Sequence, residues 1–591
     1  MALERFEKDD GWETKLLDKF TGGIDVGTRS DLLEDQQATT ANNVIFYADQ
    51  VRVDTGYVTF AGIVTGVPRA SFQFYKKNGS SELLLITNAT LYRLAAAEWQ
   101  LVSANIATTA SVGEAAGSTA IDVTDTAGFT AGATSYIGII LDDGTQHKST
   151  ISSIAAGAPG TLNIATGIPV GRSVAVGAVV LQAPTFTGAA DKPISLTTMP
   201  ALDWMVFTNG VNVVQRYDGA TCVAVPNLPS AGNTICKQVR LFNNYLLLIN
   251  TIEGGTAYPQ RVRRCDTADP TNWTTGNAGY DDLYDSDNFI LGCEDLGPYL
   301  ILYRNRSVVR MEFVGTADRL FNFDTTIIGE GVFSSELIVN LGDYHVFFGN
   351  ANVYEYRGGY AIDPIGDELY GLIYGIHGDL NPTYRDTAFS FYIEELDEIV
   401  LFYPAGSSTV PNKMLRYKLG AKSWALRSFA KNFVGYGFFQ EDSSRTWASL
   451  VGSWLDQGWT WNSNALLANT PITLLCDETN QVYSYDYVSA TDNGTGIAYE
   501  IATKDFINPR FLIRTDRLSF HAKGTNISVE RSIDRGVTWE VLSTASPGTA
   551  GADVNIDSQT TTKQVRYRLK GTGNGFALDW IQIKYRLESE Y

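Results

Sequence analysis

An acidic run near the middle of the chain has residues that could bind a cation. Asp281, Asp282, Asp285 and Asp287 lie within seven residues, and Asn288 follows them. Carboxylate and amide oxygens are ligands that Ca²⁺ prefers, but this run lacks the ordered Gly and the terminal Glu of an EF-hand loop. Runs of like charge usually face solvent. The sequence therefore favours a solvated acidic loop over a calcium site.

Histidines and nucleophiles do not form a catalytic pattern in this sequence. The four histidines, none with metal-ligand spacing, are His147, His345, His377 and His521. No Ser or Cys has a nucleophile-elbow context, and neither a P-loop nor a dinucleotide fingerprint is present. With 65 acidic residues, carboxylate pairs that could hydrolyse a glycoside arise by chance and carry no weight. The sequence predicts no catalytic residue, no metal site and no cofactor, and hence a protein that is not an enzyme.

One motif near the C-terminus matches a known turn pattern. Ser532, Asp534, Gly536, Thr538 and Trp539 fit the Asp box, S-x-D-x-G-x-T-W, which recurs in the propeller blades of sialidases. In this pattern the Asp caps the turn and the Gly supplies a positive φ. The box lies away from the catalytic residues even in those enzymes. We therefore interpret it as a stable hairpin, with a glycan-linked ancestry as the alternative.

The cysteines and the N-terminus indicate where the chain folds. The five cysteines, an odd number without C-x-x-C spacing, are Cys222, Cys236, Cys265, Cys293 and Cys476. We expect free thiols in a reducing cytoplasm. The charged N-terminal residues lack the apolar region of a signal peptide, and no apolar stretch reaches the ~18 residues of a membrane span.

A recurring phrase organises most of the chain. It consists of a short apolar run, a Gly/Asn turn and a second run that ends in Tyr or Arg, which predicts a β-hairpin. Clear copies lie at 83–94, 204–217, 299–313 and 344–357, and looser copies start near Tyr245, Glu398, Trp447 and Ile472. An all-β repeat of ~40–50 residues is typical of a β-propeller with one blade per repeat. The number of copies predicts six to eight blades.

Composition and rhythm divide the chain into four units. Residues 1–41 are predicted to be an N-terminal arm that orders only against a partner. Residues 42–99 and 186–487 form the propeller, with 42–60 as its opening strands around a turn at 48–50. Residues 100–185, poor in aromatic and basic side chains, form an inserted small β-domain with a docking or accessory role. Residues 497–591 follow a linker and alternate as short strands, with turns at 534–536 and 574–575, which predicts a C-terminal β-sandwich.

The net charge of −20 argues against one class of partner. A protein that grips nucleic acid by its phosphates needs a basic surface. The charge fits a particle component, or a surface that DNA passes without sticking.

Two segments resemble one family of virion proteins, and the blade after the second also fits its pattern. The first combines Gly22-Gly23-Ile24-Asp25 with motifs at 31–36, 42–46 and 51–57, similar to a Gly-Gly arm, "L-x-D-x-Q", "N-V-x-F" and "R-x-x-x-G-Y". The second, 258–273, resembles an "R-V-x-x-S-D…D-P-x-x-W" blade, with Cys265 where Ser is more usual. The blade at 300–310 also fits. The family is the tail nozzle, or tubular tail protein B, of short-tailed bacteriophages, and the resemblance covers roughly residues 20–487.

This resemblance implies a structural function in a phage tail. Members form a six-copy tube below the head-to-tail adaptor, through which the double-stranded DNA leaves and beside which fibres or spikes attach. It implies a location in the virion tail, after folding in the bacterial cytoplasm, with the host envelope as a further contact. Two alternatives remain from the sequence: a tail fibre or receptor-binding adhesin, and a propeller glycosidase that acts on host-surface polysaccharide.

Overall fold

The computed structural model describes residues 11–589 apart from 19, 48–49, 96, 189–192, 317–318, 326–328, 376–377, 441–470, 488 and 574. Strands dominate the described residues, and the helical segments there are the short 3-10 turns Asp367–Leu369, Arg385–Thr387 and Glu394–Leu396. No helix in this part of the chain is long and apolar enough to cross a membrane. The predicted all-β class is confirmed.

A β-propeller forms the body of the molecule. The described residues contain seven four-stranded blades, and antiparallel neighbours in each blade follow one another along the chain except at the closure of the ring. In order, blades 1 to 3 are Pro68–Tyr75, Ser81–Thr87, Leu91–Ala95 and Glu98–Leu101; Ser195–Met199, Trp204–Thr208, Gln215–Tyr217 and Cys222–Ala224; Thr234–Phe242, Tyr245–Glu253, Thr256–Arg264 and Gly279–Asp282.

Blades 4 to 6 repeat the same arrangement. They are Ile290–Leu296, Tyr299–Arg304, Val308–Phe313 and Phe321–Asp324; Ile338–Asn340, His345–Phe348, Val353–Tyr356 and Asp363–Pro364; Phe389–Ile393, Glu398–Tyr403, Lys413–Lys418 and Ser423–Ser428. The hairpin phrases of the sequence form the second and third strands of the blades. The copy expected near Trp447 lies outside the described residues.

Blade 7 closes the ring with a strand from the other end of the chain. It consists of Phe433–Phe439, Ile472–Asp477, Val482–Tyr485 and the N-terminal strand Tyr57–Phe60, which pairs antiparallel with Val482–Tyr485. Hydrophobic clusters fill the space between neighbouring blades all around the ring, including the one between blades 7 and 1. Burial of these apolar faces is the main force that holds the blades together.

The inner strands of blades 7 and 1 are hydrogen-bonded to each other. They pair in parallel, with Tyr436 opposite Ala70 and Gly437 opposite Ser71. Gly435 and Gly437 permit this approach, because a Cβ atom on Gly435 would lie 1.8 Å from the carbonyl oxygen of Arg69. Backbone bonds therefore join the first and last blades in addition to apolar packing.

The inserted domain is a six-stranded sheet with its own core. Its strands are Ile106–Thr109, Ala120–Val123, Tyr136–Ile140, Gln146–Ala155, Gly160–Ile164 and Val179–Gln182. Two side chains fasten it to the outer edge of blade 1: Gln146 accepts the Leu101 N–H at 2.6 Å, and Lys148 donates to the Trp99 carbonyl at 2.8 Å.

The C-terminal β-sandwich is built from both ends of the chain. One layer contains Ala498–Ala502, Phe506–Ile507, Ile527–Ser532, Glu540–Ala545 and Gln564–Thr572. The other contains Leu512–Gly524, Gly548–Thr562, Ala577–Glu588 and the N-terminal strands Glu13–Leu17, Val44–Phe46 and Val51–Val53. Thr40–Asn42 joins blade 6 to the first layer, and a hairpin of Thr491–Asp492 and Thr495–Gly496 lies beside Tyr57–Phe60.

These pairings correct two expectations about the N-terminal region. Glu13–Leu17 pairs with the C-terminal strand, and Gly23–Ile24 pairs in parallel with Gln37–Ala38, so the described part of this arm forms strands within the chain and does not order only against a partner. Of the segment 42–60, only Tyr57–Phe60 belongs to a blade, because Val51–Val53 pairs with Ala577–Glu588. The turn residues expected at 48–49 and at 574 lie outside the described part of the chain.

Candidate functional site on the propeller axis

A cavity of about 430 Å³ lies on the propeller axis, where the inner strands of the blades converge. We call it the axial cavity. Its volume falls within the range of about 300–1,000 Å³ that is typical of small-molecule sites. The polar and aromatic residues that line it include Arg69, Ser71, Gln73, Tyr75, Gln238, Arg240, Glu294, Glu336, Tyr436, Phe438 and Gln440.

Glu336 is held at the cavity by the blade that follows it. It lies just before the inner strand of blade 5, and its carbonyl accepts hydrogen bonds from Ser390 N–H at 2.7 Å and Ser390 Oγ at 3.0 Å. Burial raises the pKa of Glu336 to about 7, although the positive charge of Arg69 and the Ile194 N–H oppose this shift. A carboxyl group with this pKa is present in both protonation states near neutral pH, as a general acid or base requires.

Glu294 forms the second carboxylate of the cavity. Arg240 donates to Glu294 at 2.9 Å and to the adjacent Asp295 at 2.6 Å. Burial raises the pKa of Glu294, and the charge of Arg240 opposes this effect. His345 and Asn340 donate to the Asp295 carbonyl at 2.9 and 2.7 Å and so fix the end of this strand.

Uncharged groups complete the wall of the axial cavity. Gln238 accepts the Cys293 N–H at 3.2 Å, and Gln73 and Gln440 exchange hydrogen bonds at 2.9 and 2.6 Å. Ser71 is 5% exposed, and its Oγ has no hydrogen-bond partner among the described residues. Tyr436 stacks on Phe391 of blade 6 at 4.4 Å between ring centroids. The wall therefore offers acceptors, donors and aromatic surface within one enclosure.

The titration of Glu336 yields a testable pH dependence. Its pKa is about 7 in the folded chain against an ordinary 4.5, so the folded state binds more protons and stability falls as pH rises through this window. Glu336→Gln does not titrate. We expect its stability relative to wild type to increase by about 1–3 kcal/mol between pH 5 and pH 8, measured by chemical denaturation. The exposed Glu312 provides the control variant Glu312→Gln. An equal pH response in both variants would contradict this origin.

The Asp box forms the turn that its sequence predicts. Gly536 has a φ of +85° and donates to Ser532 Oγ at 2.8 Å, while the Thr538 N–H donates to Asp534 at 2.8 Å. Hydrogen bonds from Thr538 and Ser532 lower the pKa of Asp534 to about 2. Arg568 lies over the Trp539 ring at 4.0 Å. The box lies in the C-terminal sandwich, away from the axial cavity, and stabilises a hairpin.

The acidic run pairs with arginines instead of simply facing solvent. Asp281 bonds to Arg264 at 2.5 Å and Asp282 to Arg261 at 2.7 Å, both within blade 3. Asp285 accepts from the buried Arg304 of blade 4 at 2.7 Å. Within the described residues, no group of three or more His, Cys, Asp or Glu side chains is arranged to hold a metal ion.

The described histidines lie in three different units. His147 bonds to the Thr166 carbonyl in the inserted domain, His345 bonds to Tyr303 in the propeller, and His521 bonds to Asp553 in the sandwich. His377 lies outside the described residues. The prediction of free thiols is confirmed, because all five cysteines are buried and unpaired with one another.

The residues of the axial cavity were not predicted from the sequence. Arg69, Gln238, Arg240 and Glu294 belong to the inner strands, one strand upstream of each hairpin phrase. The signal available in the sequence was a set of polar residues one strand before each hairpin phrase. The recurring hairpin phrase predicts the second and third strands of each blade, which do not contribute to the cavity.

Comparison with known proteins finds no relative in sequence: no protein-family model and no curated protein matches this chain. Solved structures do match. The BBS1N part of a complex with ARL6DN is 9% identical, with a TM-score of 0.36, over 75% of this chain and 100% of that chain. An exo-β-1,3-galactanase from Phanerochaete chrysosporium is 9% identical, with a TM-score of 0.22, over 66% and 95%. The xyloglucan-locus protein GH43B from Bacteroides ovatus is 10% identical, with a TM-score of 0.23, over 68% and 97%.

These similarities correct one prediction. The sequence predicts a protein that is not an enzyme. That prediction is wrong for this fold, because glycoside hydrolases are among the solved structures that the chain resembles. At such low identities and TM-scores, the matches assign no reaction or substrate to this chain. Any activity must be argued from its own residues.

Proposed function

We propose that this chain is a structural subunit of a short-tailed phage tail, a ring-forming nozzle at the distal end of the DNA-ejection conduit. The observation that carries the proposal is the position of the nozzle-like N-terminal segment, residues 22–57. It passes along blade 6, enters the C-terminal sandwich and ends as the closing strand of blade 7. The segment with the strongest family pattern is therefore the one that connects the propeller to the C-terminal sandwich.

The second nozzle-like segment also has a structural position. Thr256–Arg264 is the third strand of blade 3, and the turn after it buries Trp273, whose indole N–H donates to the Pro270 carbonyl at 2.8 Å. The Cys265 thiol, where the family more often has Ser, donates to the Asp266 carbonyl at 3.0 Å. A small polar hydroxyl could occupy this place, so the pattern is compatible with this blade.

The construction suits a wall that bears load. A propeller whose last blade contains an N-terminal strand cannot open without breaking the hydrogen bonds of Tyr57–Phe60. The sandwich is held by strands from both ends of the chain. Copies of such a rigid body can stand side by side in a closed ring. We propose a ring of six copies, as in the nozzle family.

The partners follow from this proposal. The ring would join the head-to-tail adaptor, carry fibres or spikes, meet the host envelope and let double-stranded DNA pass without sequence-specific binding, in virions assembled after folding in the bacterial cytoplasm. The net charge of −20 supports the passage of DNA without binding, because phosphates gain little counterion release on an acidic wall.

Antibody labelling of intact phage particles, viewed by electron microscopy, tests the proposal. We expect label at the distal end of a short tail and its loss when tails are sheared, with particles treated with non-immune antibody as the control. Native mass spectrometry of the purified chain should show six copies. Label along lateral fibres would instead indicate an adhesin, and absence of the chain from every particle would overturn both structural functions.

A further inference from the structure

We propose that the axial cavity is a binding site for a neutral saccharide. This site is independent of the nozzle function, since it depends on one propeller and not on a ring of copies. The proposal rests on three properties of the wall: its hydrogen-bonding groups, its aromatic rings and its internal balance of charge.

The hydrogen-bonding groups suit a ligand rich in hydroxyls. A hydroxyl both donates and accepts, so it can satisfy carboxylates, amides and other hydroxyls at once. Gln238, Glu294 and Glu336 line the same cavity from blades 3, 4 and 5, respectively.

Aromatic side chains lie where a sugar ring could stack. Tyr75 is 60% exposed at the end of the inner strand of blade 1, and Phe438 is partly exposed on the inner strand of blade 7. Tyr436 also lines the cavity. The C–H faces of a pyranose pack against aromatic rings, while its hydroxyls project from the rim, so a wall with both kinds of group matches both parts of a sugar.

The charges of the wall favour a neutral ligand over an anionic one. Arg240 already binds the carboxylates of Glu294 and Asp295. Arg69 is buried beside Glu336, whose carboxyl group it affects electrostatically. A phosphate or an acidic sugar would have to compete with Glu294 and Asp295 for Arg240, whereas a neutral saccharide leaves these contacts of Arg240 intact.

A glycan array that carries neutral and acidic oligosaccharides, probed with the full-length chain, is the first test. We expect binding to neutral glycans. Affinity for the best array glycan is then measured by titration calorimetry for Tyr75→Ala and Glu336→Gln, each of which should weaken binding at least tenfold. The matched controls are Tyr370→Ala, at a tyrosine 61% exposed outside the cavity, and Glu312→Gln on blade 4; both should bind like wild type.

Three results would overturn this proposal. They are the absence of binding to any glycan on the array, binding to acidic glycans alone, and binding that neither cavity variant weakens. Because Tyr75 is exposed, Tyr75→Ala should retain the fold even if Glu336→Gln does not, and thermal unfolding of each variant checks this. Labelling of phage tails does not bear on these outcomes, so the two proposals can fail separately.

Discussion

Gly435→Ala is expected to destabilise the propeller by about 3 kcal/mol or more, because its methyl group has no space. An ideal Cβ would lie 1.8 Å from the Arg69 carbonyl oxygen and 2.5 Å from its carbon, and both are backbone atoms that cannot rotate away. Relief requires that the inner strands of blades 7 and 1 separate, which breaks the pairing of Tyr436 with Ala70. Denaturation midpoints of the variant and the wild type measure this loss.

Gly62→Ala is the matched control for this prediction. A Cβ at Gly62 meets nothing within 4 Å, and its φ is not positive. The control should therefore unfold like wild type. Hydrogen exchange adds a local readout: Gly435→Ala should expose amides of Phe433–Phe439 before those of the other inner strands. Equal stability of Gly435→Ala and wild type would show that the two strands are not joined as described.

The blades could be predicted because their signal is local. In residues 83–94, an apolar run, the Asn88-Ala89 turn and a second run became Ser81–Thr87 and Leu91–Ala95. Turn chemistry and alternation are properties of a few consecutive residues, so they are visible in the sequence. The same argument holds for the Asp box, where Asp534 and Gly536 formed the expected turn.

The joining of the chain ends could not be predicted, because it depends on contacts far apart in sequence. Val44–Phe46 and Tyr57–Phe60 are both short runs rich in residues that favour strands, yet one lies in the sandwich and the other closes blade 7. The axial cavity has the same difficulty. Glu294 and Glu336 are ordinary residues in sequence, and only the curvature of the whole ring brings them to one enclosure.

Arg416→Met is expected to cost about 3–5 kcal/mol, since it removes the cation closest to both carboxylates of a buried ionic cluster. Arg416 lies in blade 6 and bonds to Asp54 of the N-terminal segment and to Glu398 of its own blade. Asp54 is fully buried, and Glu398 and Arg416 nearly so. Without this guanidinium, two buried carboxylates keep only more distant cations, Arg427 at 3.5 Å from Asp54 and Lys418 at 3.9 Å from Glu398. The free energy of unfolding, from denaturant titration at pH 7, measures the loss.

The pH dependence distinguishes lost charge compensation from lost packing. Burial without a compensating cation penalises the charged form of a carboxyl group, so negative charge left buried by Arg416→Met destabilises the fold less where it can be neutralised by a proton. The deficit of Arg416→Met should therefore be smaller at pH 4 than at pH 7. Arg416→Lys keeps the charge without the planar fork and should lose less. Arg357→Met, at a mostly exposed arginine paired with Glu355, should have little effect at either pH. A deficit that is the same at both pH values would assign the loss to packing, and the ionic cluster would then not be what fastens the N-terminal segment to blade 6.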